Sequence, residues 1–384
     1  MKICMIGYNI EPRRNEAINK QVFNISQCLT SKKNEIFIIS ISNKDITSYY
    51  DGIKIYSYKG IKSIYEIRKA IKKEKPDVIH DHFGMIGSSL ITLLLTRGMH
   101  IKRFKTVYST TFKLNKLRRL LSNFKFCDYL NEIIPRLILD NKFIRKKVFS
   151  FFDKIIFINK IQMLEEGSSK SFYIPPFISL PKESSTYKKE ILKKQLGILK
   201  NDKVMLYLGH ASRKKGIYKI AGCLNSFLNK KNIKFLFAFS GIGKEEKHFI
   251  VKYKKYNPIV TYPFKKNISD LYAISNVFIL PLIFPWAATT TPLTILESLK
   301  LDTPVIITKN KFLDDIIFEK KNGYILENLN KSDNIIQAIN FFIKKDKEHG
   351  MVLKYSKNKL NESTQDKLKT AYNNIYILDN LKNS

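Results

Sequence analysis

The chain of 384 residues contains 68 Lys and Arg against 33 Asp and Glu, which gives a formal net charge of +35, and 44% of its residues are hydrophobic. The length predicts two domains, and the hydrophobic fraction excludes an intrinsically disordered chain. The net charge predicts attraction to a polyanion, so nucleic acid, an acidic membrane face and phosphorylated substrates are all open as partners.

Cysteine usage and hydropathy indicate the compartment. The four cysteines are scattered without a C-x-x-C pair, so we expect reduced core residues in a cytoplasmic protein rather than a disulfide framework or a zinc site. The apolar run Met1–Gly7 is too short for a signal peptide. The longest membrane-like run, Met85–Leu95, covers about half of the roughly 20 residues that a spanning helix needs. We therefore expect no segment that crosses a membrane.

Buried strands alternate with amphipathic helices along the chain, which predicts parallel sheets with helices on both faces. The alternation stops at Ile174–Pro181, where three prolines predict an extended linker, and then restarts. We predict an α/β protein with two Rossmann-like domains, 1–178 and 179–350, that face each other across a central cleft. A helical segment, 351–384, is expected to pack back toward the first domain. The predicted strands are Lys2–Ile6, Glu35–Ile41, Val78–Ile79, Thr106–Tyr108, Lys154–Ile158, Phe172–Ile174, Val204–Leu208, Phe235–Phe239, Val277–Leu280 and Val305–Thr308.

The stretch Thr289–Leu299 predicts a loop followed by a sharply started helix. Thr291 suits the capping position, and Pro292 suits the first helical position because its missing N–H would have no partner there. The amides of Leu293 and Thr294 would then point out of the positive end of the helix. Such an end is a place to hold a phosphate.

Glu297 lies farther along the same predicted helix, and it faces outward if Leu293, Leu296 and Leu299 face the core. A phosphate site with a carboxylate beside it for hydroxyl groups is what a sugar nucleotide requires. An ordinary capped helix followed by a strand explains the same residues, and this motif alone leaves both interpretations open.

Several segments of the chain occur in an order that resembles one family. Leu206–His210 with Lys215–Ile217 resembles that family's strand and phosphate loop, and Phe239–Gly243 resembles its Gly-x-Gly turn. Leu271–Pro281 resembles the segment before its donor loop, and Thr289–Glu297 occupies the place of the loop itself. The family is that of the retaining, metal-independent glycosyltransferases of family 4, which have the GT-B fold. The first half has the family's form at Lys75–His80, Phe152–Ile158 and Tyr173–Pro176, so the likeness runs from Met1 to about Leu326.

This resemblance implies a two-domain GT-B enzyme that transfers a sugar from a nucleotide sugar to a membrane-associated lipid or polysaccharide acceptor, with retention of configuration. It implies no cofactor beyond the nucleotide sugar, which is a co-substrate. Lys215 and Arg213 would meet the diphosphate, and Thr289 stands where the family has a catalytic-site glutamate. The remaining donor contacts implied are His210, Thr290, Thr291, Leu293, Thr294 and Glu297, the last as acceptor for ribose hydroxyls.

Departures from the family pattern leave an alternative open. Thr289 replaces the first glutamate of the pair, Pro292 replaces a loop glycine, and His210 replaces the usual arginine. Thr111 stands at the place of an acceptor-side histidine, and Arg13–Ala17 stands at the place of paired glycines. The alternative is a catalytically weakened GT-B relative that binds nucleotide sugars or polyanions.

A metal site is not expected, because no Asp-x-Asp triplet follows a buried strand. His80-Asp81-His82 places two histidines on one face of a strand end. With no third ligand in sequence, we interpret them as residues that line the cleft or are satisfied at the strand end.

The interval from His82 to Cys127 contains no Asp or Glu. A cationic, partly apolar face of this kind predicts a peripheral enzyme on the cytoplasmic side of an anionic membrane. A lysine-rich surface without a membrane role is the alternative, and no nucleic acid is expected because the chain has no recognised nucleic-acid module. The basic residues of the interval are Arg97, Lys102, Arg103, Lys105, Lys113, Lys116, Arg118, Arg119 and Lys125.

Overall fold

The chain folds into two compact units, Met1–Phe177 with Ser363–Ser384, and Ile178–Glu362. The structure is a computed structural model and describes residues 1–12, 16–30, 34–60, 63–109, 140–178, 186–262, 268–284, 287–327, 329, 332–344 and 351–377. The expected division treated 351–384 as one segment. In the structure the part up to Glu362 lies in the second unit and the rest lies in the first.

The first unit is built on an eight-stranded sheet in the order β3-β4-β2-β1-β5-β6-β7-β8, with every pair parallel except β3 with β4. Its central strands are short apolar runs, as expected for parallel strands covered on both faces. The strands are β1 (Lys2–Tyr8), β2 (Glu35–Ser42), β3 (Ile46–Tyr50), β4 (Ile53–Lys59), β5 (Val78–Asp81), β6 (Lys102–Val107), β7 (Lys154–Phe157) and β8 (Ser171–Tyr173). The helices among them are α1 (Ala17–Leu29), α2 (Ile64–Glu74), α3 (Leu90–Leu95), α4 (Lys142–Ser150) and α5 (Lys160–Glu166).

The second unit is built on a six-stranded parallel sheet in the order β11-β10-β9-β12-β13-β14. Its strands are β9 (Lys203–Gly209), β10 (Ile233–Phe239), β11 (Ile259–Thr261), β12 (Val277–Leu280), β13 (Val305–Thr308) and β14 (Gly323–Leu326). Its helices are α6 (Thr186–Gln195), α7 (Ile217–Cys223), α8 (Lys244–Tyr253), α9 (Ile268–Ala273), α10 (Leu293–Lys300), α11 (Ser332–Lys344) and α12 (Met351–Glu362). The final described helix, α13 (Gln365–Ile377), belongs to the first unit.

Each sheet has a point where the strand order reverses. From β9 the chain moves outward to β10 and β11, and then crosses to β12 on the other side of β9. In the first sheet the same reversal separates β1 from β5. Ligands of open α/β sheets bind at such points, outside the carboxyl ends of the strands. A binding site in the second unit is therefore expected at the loops after β9 and β12.

The helix α13 completes the core of the first unit. Leu368, Tyr372 and Tyr376 pack among buried residues of β1 and α1. The Tyr376 hydroxyl lies 2.7 Å from Nδ1 of His80, and the other ring nitrogen of His80 lies 2.7 Å from the Thr106 hydroxyl. His80 is fully buried, so of the two interpretations of this histidine the structure supports the one in which it is satisfied at the strand end. Burial lowers the pKa of His80 to about 3, with a smaller contribution from Lys105 in the same direction.

The neutral state of His80 predicts a pH dependence of stability. The folded protein keeps His80 neutral down to about pH 3, whereas an unfolded histidine takes up a proton below about pH 6.5. The free energy of unfolding should therefore fall as the pH falls from 6.5 toward 3, by about 1.5 kcal/mol between pH 6.5 and 5 from this residue alone. His80→Gln should lose that part of the slope. Urea unfolding at several pH values, with hydrogen exchange of the β5 and β6 amides as the readout, measures the slope of the free energy of unfolding against pH. An equal slope in the wild type and in His80→Gln would contradict the assignment.

Candidate active site

The loop after β9 begins at Gly209 and places Lys215 over the end of the strand. A Cβ atom built on Gly209 would lie 3.2 Å from Nζ of Lys215, and the backbone there has a φ of +145°. Arg213–Lys215 forms one turn of 3-10 helix, closed by a bond from the Gly216 amide to the Arg213 carbonyl at 2.9 Å. The predicted phosphate-binding lysine thus lies at the carboxyl end of β9, beside the point where the strand order reverses.

The loops after β9 and β12 are joined directly. The amide of Ile283 donates to the Lys214 carbonyl at 2.9 Å. Gly216 packs so closely on the segment after β12 that an added Cβ would lie 2.0 Å from the Pro281 carbonyl oxygen, and its φ is +76°. Glycine is required there by both the contact and the left-handed backbone. The structure therefore brings these two predicted loops together.

The Glu246 carboxylate, which was not among the predicted site residues, also fixes the loop after β9. One oxygen accepts from the Ala211 amide at 2.9 Å, and the other accepts from the Gly243 amide at the start of α8, also at 2.9 Å. Burial alone would raise the pKa of Glu246, but these backbone N–H groups and His210 lower it overall. His210 is half exposed, and its Nδ1 lies 3.6 Å from the carboxylate.

Arg213 and Lys215 have different neighbours. The Arg213 guanidinium lies 5.3 Å from the ring centre of Tyr218, whose hydroxyl donates to Glu245 at 3.0 Å. Arg213 is exposed and packs on α7, whereas Lys215 lies over β9. The two residues that the sequence assigned to the diphosphate therefore have different surroundings, and their shared role stays a prediction.

The loop before α10 differs from the expectation at its capping residue. The helix begins at Leu293 with Pro292 in the capping position, so the prediction that Thr291 caps and Pro292 opens the first turn was wrong by one residue. Leu293 and Thr294 remain in the first turn, where backbone N–H groups lack partners within the helix. The Thr289 hydroxyl donates to the Thr291 carbonyl at 3.0 Å. The Thr290 hydroxyl is buried and has no hydrogen-bond partner among the described residues.

Glu297 does not face outward, and that prediction was wrong. Glu297 is 2% exposed. Most residues of α10 are buried, and the helix contacts both the sheet and α12. The carboxylate lies by Tyr272, whose hydroxyl donates to the Thr294 carbonyl at 3.0 Å. Burial raises the pKa of Tyr272, and the charge of Glu297 raises it further.

The corresponding edge of the first sheet holds a buried ion pair. Nζ of Lys105 lies 2.6 Å from Asp81, and both side chains are fully buried. Burial lowers the pKa of Lys105, although Asp81 opposes the shift. Asp81 also accepts from the Thr92 hydroxyl at 2.6 Å. Lys105 was counted with a basic surface, and this was wrong because the side chain is paired inside the unit. The part of the predicted basic interval from residue 110 onward, with Thr111, and residues 13–15 of the N-terminal loop lie outside the described residues.

The part of the chain that the structure describes bears on both metal ligands and membrane spans. There, no three or more His, Cys, Asp or Glu side chains are grouped so that they hold a metal ion. Within the same residues, the helices are all too short or too polar to span a bilayer. A surface cavity of about 730 Å³ opens at the amino edge of the first sheet, lined by Lys75, Asp77 and Lys102 among others, and none of the predicted site residues lines it.

Residues 188–359 match the family described as Glycosyl transferases group 1. This part of the chain is a glycosyl transferases group 1 domain. It falls within the second unit, Ile178–Glu362, and contains both loops at the reversal of strand order. The family-4 assignment remains a prediction.

Proteins similar to the whole chain include an uncharacterized glycosyltransferase of Methanocaldococcus jannaschii, 21% identical over 351 residues, 84% of each chain. Among solved structures, sucrose-phosphate synthase of Thermosynechococcus elongatus has a TM-score of 0.75 at 13% identity and covers 98% of both chains. Anabaena HepE in complex with UDP-glucose has a TM-score of 0.72 at 12% identity and covers 100% of both. These likenesses show the fold, and the predicted GT-B class is confirmed. The chain carries a glycosyltransferase domain on a GT-B fold.

The close approach of the two loops in the group 1 domain predicts a stability difference between two glycines. Gly216 and Gly197 both have a positive φ, but only Gly216 has a neighbour within reach of an added Cβ. Gly197→Ala should cost about 1–2 kcal/mol for the left-handed backbone alone. Gly216→Ala should cost several kcal/mol more, because a backbone carbonyl occupies the space. Urea unfolding of the two variants compares them, and equal losses would mean that the loops are not in contact.

Proposed function

We propose that this chain transfers a sugar from a nucleotide-sugar donor to a membrane-associated lipid or polysaccharide acceptor, with retention of configuration and without a metal ion. The single observation that carries the proposal is the meeting of the loops after β9 and β12 at the reversal of strand order, inside a glycosyl transferases group 1 domain. A diphosphate at this edge would meet groups from both loops.

The donor diphosphate must accept an electron pair when the bond between its oxygen and the anomeric carbon breaks. Fixed positive groups close to that oxygen stabilise the departing charge. We assign this role to the ammonium of Lys215 and to the backbone N–H groups of Leu293 and Thr294. Arg213 would contribute if it left Tyr218 and turned toward the donor, and His210 would add a proton donor beside Glu246.

The sugar and the ribose would be held by oxygen atoms of the second loop. Thr289 stands at the place of the family's first glutamate, and its neutral hydroxyl is a weaker acceptor than a carboxylate. Thr290 has a hydroxyl with no partner among the described residues, which suits a contact with the donor. Glu297 is assigned to the ribose hydroxyls, and because it is buried beside Tyr272 the ribose would have to reach into the unit to meet it.

Retention is proposed to proceed without a protein nucleophile, as the family-4 resemblance implies. The acceptor hydroxyl would form its bond to the anomeric carbon on the face that the diphosphate leaves, and its proton would pass to the departing phosphate oxygen. A UDP-sugar is the first donor to try, because HepE was solved with UDP-glucose. The neutral Thr289 favours the second candidate, a weakened relative that binds the donor without transfer, and nucleotide binding without any turnover would support it.

Lys215→Ala tests the donor site. Loss of one charged partner of a phosphate should weaken UDP binding by about 10- to 100-fold, since a hydrogen bond to a charged group contributes about 1.5–3 kcal/mol. Lys230→Ala is the matched control, because Lys230 is exposed and precedes β10 at the opposite edge of the same sheet. Isothermal calorimetry with UDP measures both variants. Equal affinity in the wild type and Lys215→Ala would remove the phosphate role of Lys215.

Metal independence is tested by chelation. The proposed site uses an ammonium and backbone N–H groups where other glycosyltransferases use a divalent cation, so UDP affinity and transfer should be unchanged in excess EDTA. The same calorimetric titration with and without EDTA gives the answer. A loss that Mg²⁺ or Mn²⁺ restores would show that the chain belongs to a metal-dependent class.

A further inference from the structure

The helix α4 has an unusual solvent face. Its buried side consists of Arg145, Val148 and Phe149, which pack inward. Successive helical residues are turned by about 100°, so the opposite side is formed by residues at the complementary positions. Those residues are Phe143, Lys146, Lys147 and Ser150, with Phe151 directly after the helix, and all of them are exposed.

The two phenylalanines on this face are the apolar part of the surface. Phe143 is 73% exposed and Phe151 is 52% exposed. Aromatic side chains of this size contribute large apolar areas when they are buried, so leaving two of them in water on one short helix face indicates a surface that is covered in use. The apolar face is rimmed by charge rather than by neutral polar groups.

That charge is positive, and its lysines form no ion pair among the described residues. The helix contains no Asp or Glu, and Lys142, Lys146 and Lys147 make no salt bridge with any described residue. The carboxylates next to α4 are engaged elsewhere. Asp140 and Glu166 both pair with the buried Arg145, and Asp153 accepts from the Arg103 amide at 2.7 Å. The lysines are therefore available to an anionic partner.

We propose that the outer face of α4 is a docking surface for an anionic lipid bilayer. The phenyl rings would enter the boundary between headgroups and acyl chains, and the lysines would extend to the lipid phosphates. Each lysine near an anionic surface contributes about 1 kcal/mol, and the apolar rings distinguish a bilayer from a soluble polyanion. The assignment rests on the membrane-associated acceptor proposed above, but it uses residues outside the interval His82–Cys127.

The test is vesicle flotation of the full chain with phosphatidylglycerol-containing and phosphatidylcholine vesicles. The variant Phe143→Ala/Lys146→Ala/Lys147→Ala should bind the anionic vesicles at least about tenfold less, because it loses two lysines and one inserted ring. The matched control is Tyr187→Ala/Lys188→Ala/Lys194→Ala on α6, which removes one exposed aromatic residue and two exposed lysines from the second unit. The control should float as the wild type does.

Insertion is tested separately by fluorescence. Phe143→Trp should be quenched by lipids brominated in their acyl chains, and Tyr187→Trp should not; the native Trp286 supplies the same background in both. Equal loss of flotation in the two triple variants, or equal quenching of the two tryptophans, would overturn the proposal. The proposal would also be overturned if the wild-type chain floated with neither kind of vesicle. If the wild type forms a dimer and the α4 variant does not, the face binds a second copy of the chain. If the wild type binds a polynucleotide and only the α4 variant fails to bind it, the face binds nucleic acid.

The donor site and this surface can fail independently. The α4 variant should bind UDP with wild-type affinity, and Lys215→Ala should float with wild-type efficiency. A defect of the α4 variant in UDP binding would indicate a general folding defect rather than a lost membrane contact. Circular dichroism of the variant, compared with the α6 control, decides that case.

Discussion

The parallel pairing of β9 with β12 is the constraint on which the candidate site depends. Met205 pairs with Val277 and Leu206 pairs with Phe278, so both strands run toward the same edge of the second sheet. A parallel pair cannot be closed by a tight turn, and the chain must cross over before it returns. The crossover places two loops from distant parts of the sequence side by side. The bond from Ile283 to Lys214 and the contact of Gly216 with Pro281 then hold them together.

In each unit a buried carboxylate holds a loop at the carboxyl edge of the sheet, and the two carboxylates have different partners. In the first unit Asp81 is neutralised by the buried Lys105, so removal of either partner would leave an uncompensated charge inside the protein, at a cost of about 3–5 kcal/mol. In the second unit Glu246 relies on backbone N–H groups and on an exposed histidine.

The sequence predicted the strands well because parallel strands covered on both faces are short apolar runs, and every predicted strand overlaps an observed one. It missed the β3–β4 hairpin, although Asp51-Gly52 with two positive φ values is a typical hairpin turn. The orientation of Glu297 was wrong because helical periodicity shows which side of α10 is apolar, but not that Tyr272 of α9 lies beside the carboxylate. Lys105 was misassigned for a related reason, since a count of charges cannot see that Asp81 lies opposite it. Glu246 had a signal that went unused, a glutamate three residues after a glycine that begins a helix.

The return of α13 to the first unit has a consequence for how the chain acquires its structure during synthesis. The second unit is continuous in sequence, from Ile178 to Glu362, so its synthesis is complete before α13 is made. The core of the first unit needs Leu368, Tyr372 and Tyr376, which are made almost two hundred residues after Phe177. Although domains generally fold in order of synthesis, here the unit that is made first would be completed last. Until α13 docks, apolar residues of α1 such as Val22 and Ile25 stay uncovered while the second unit is already folded.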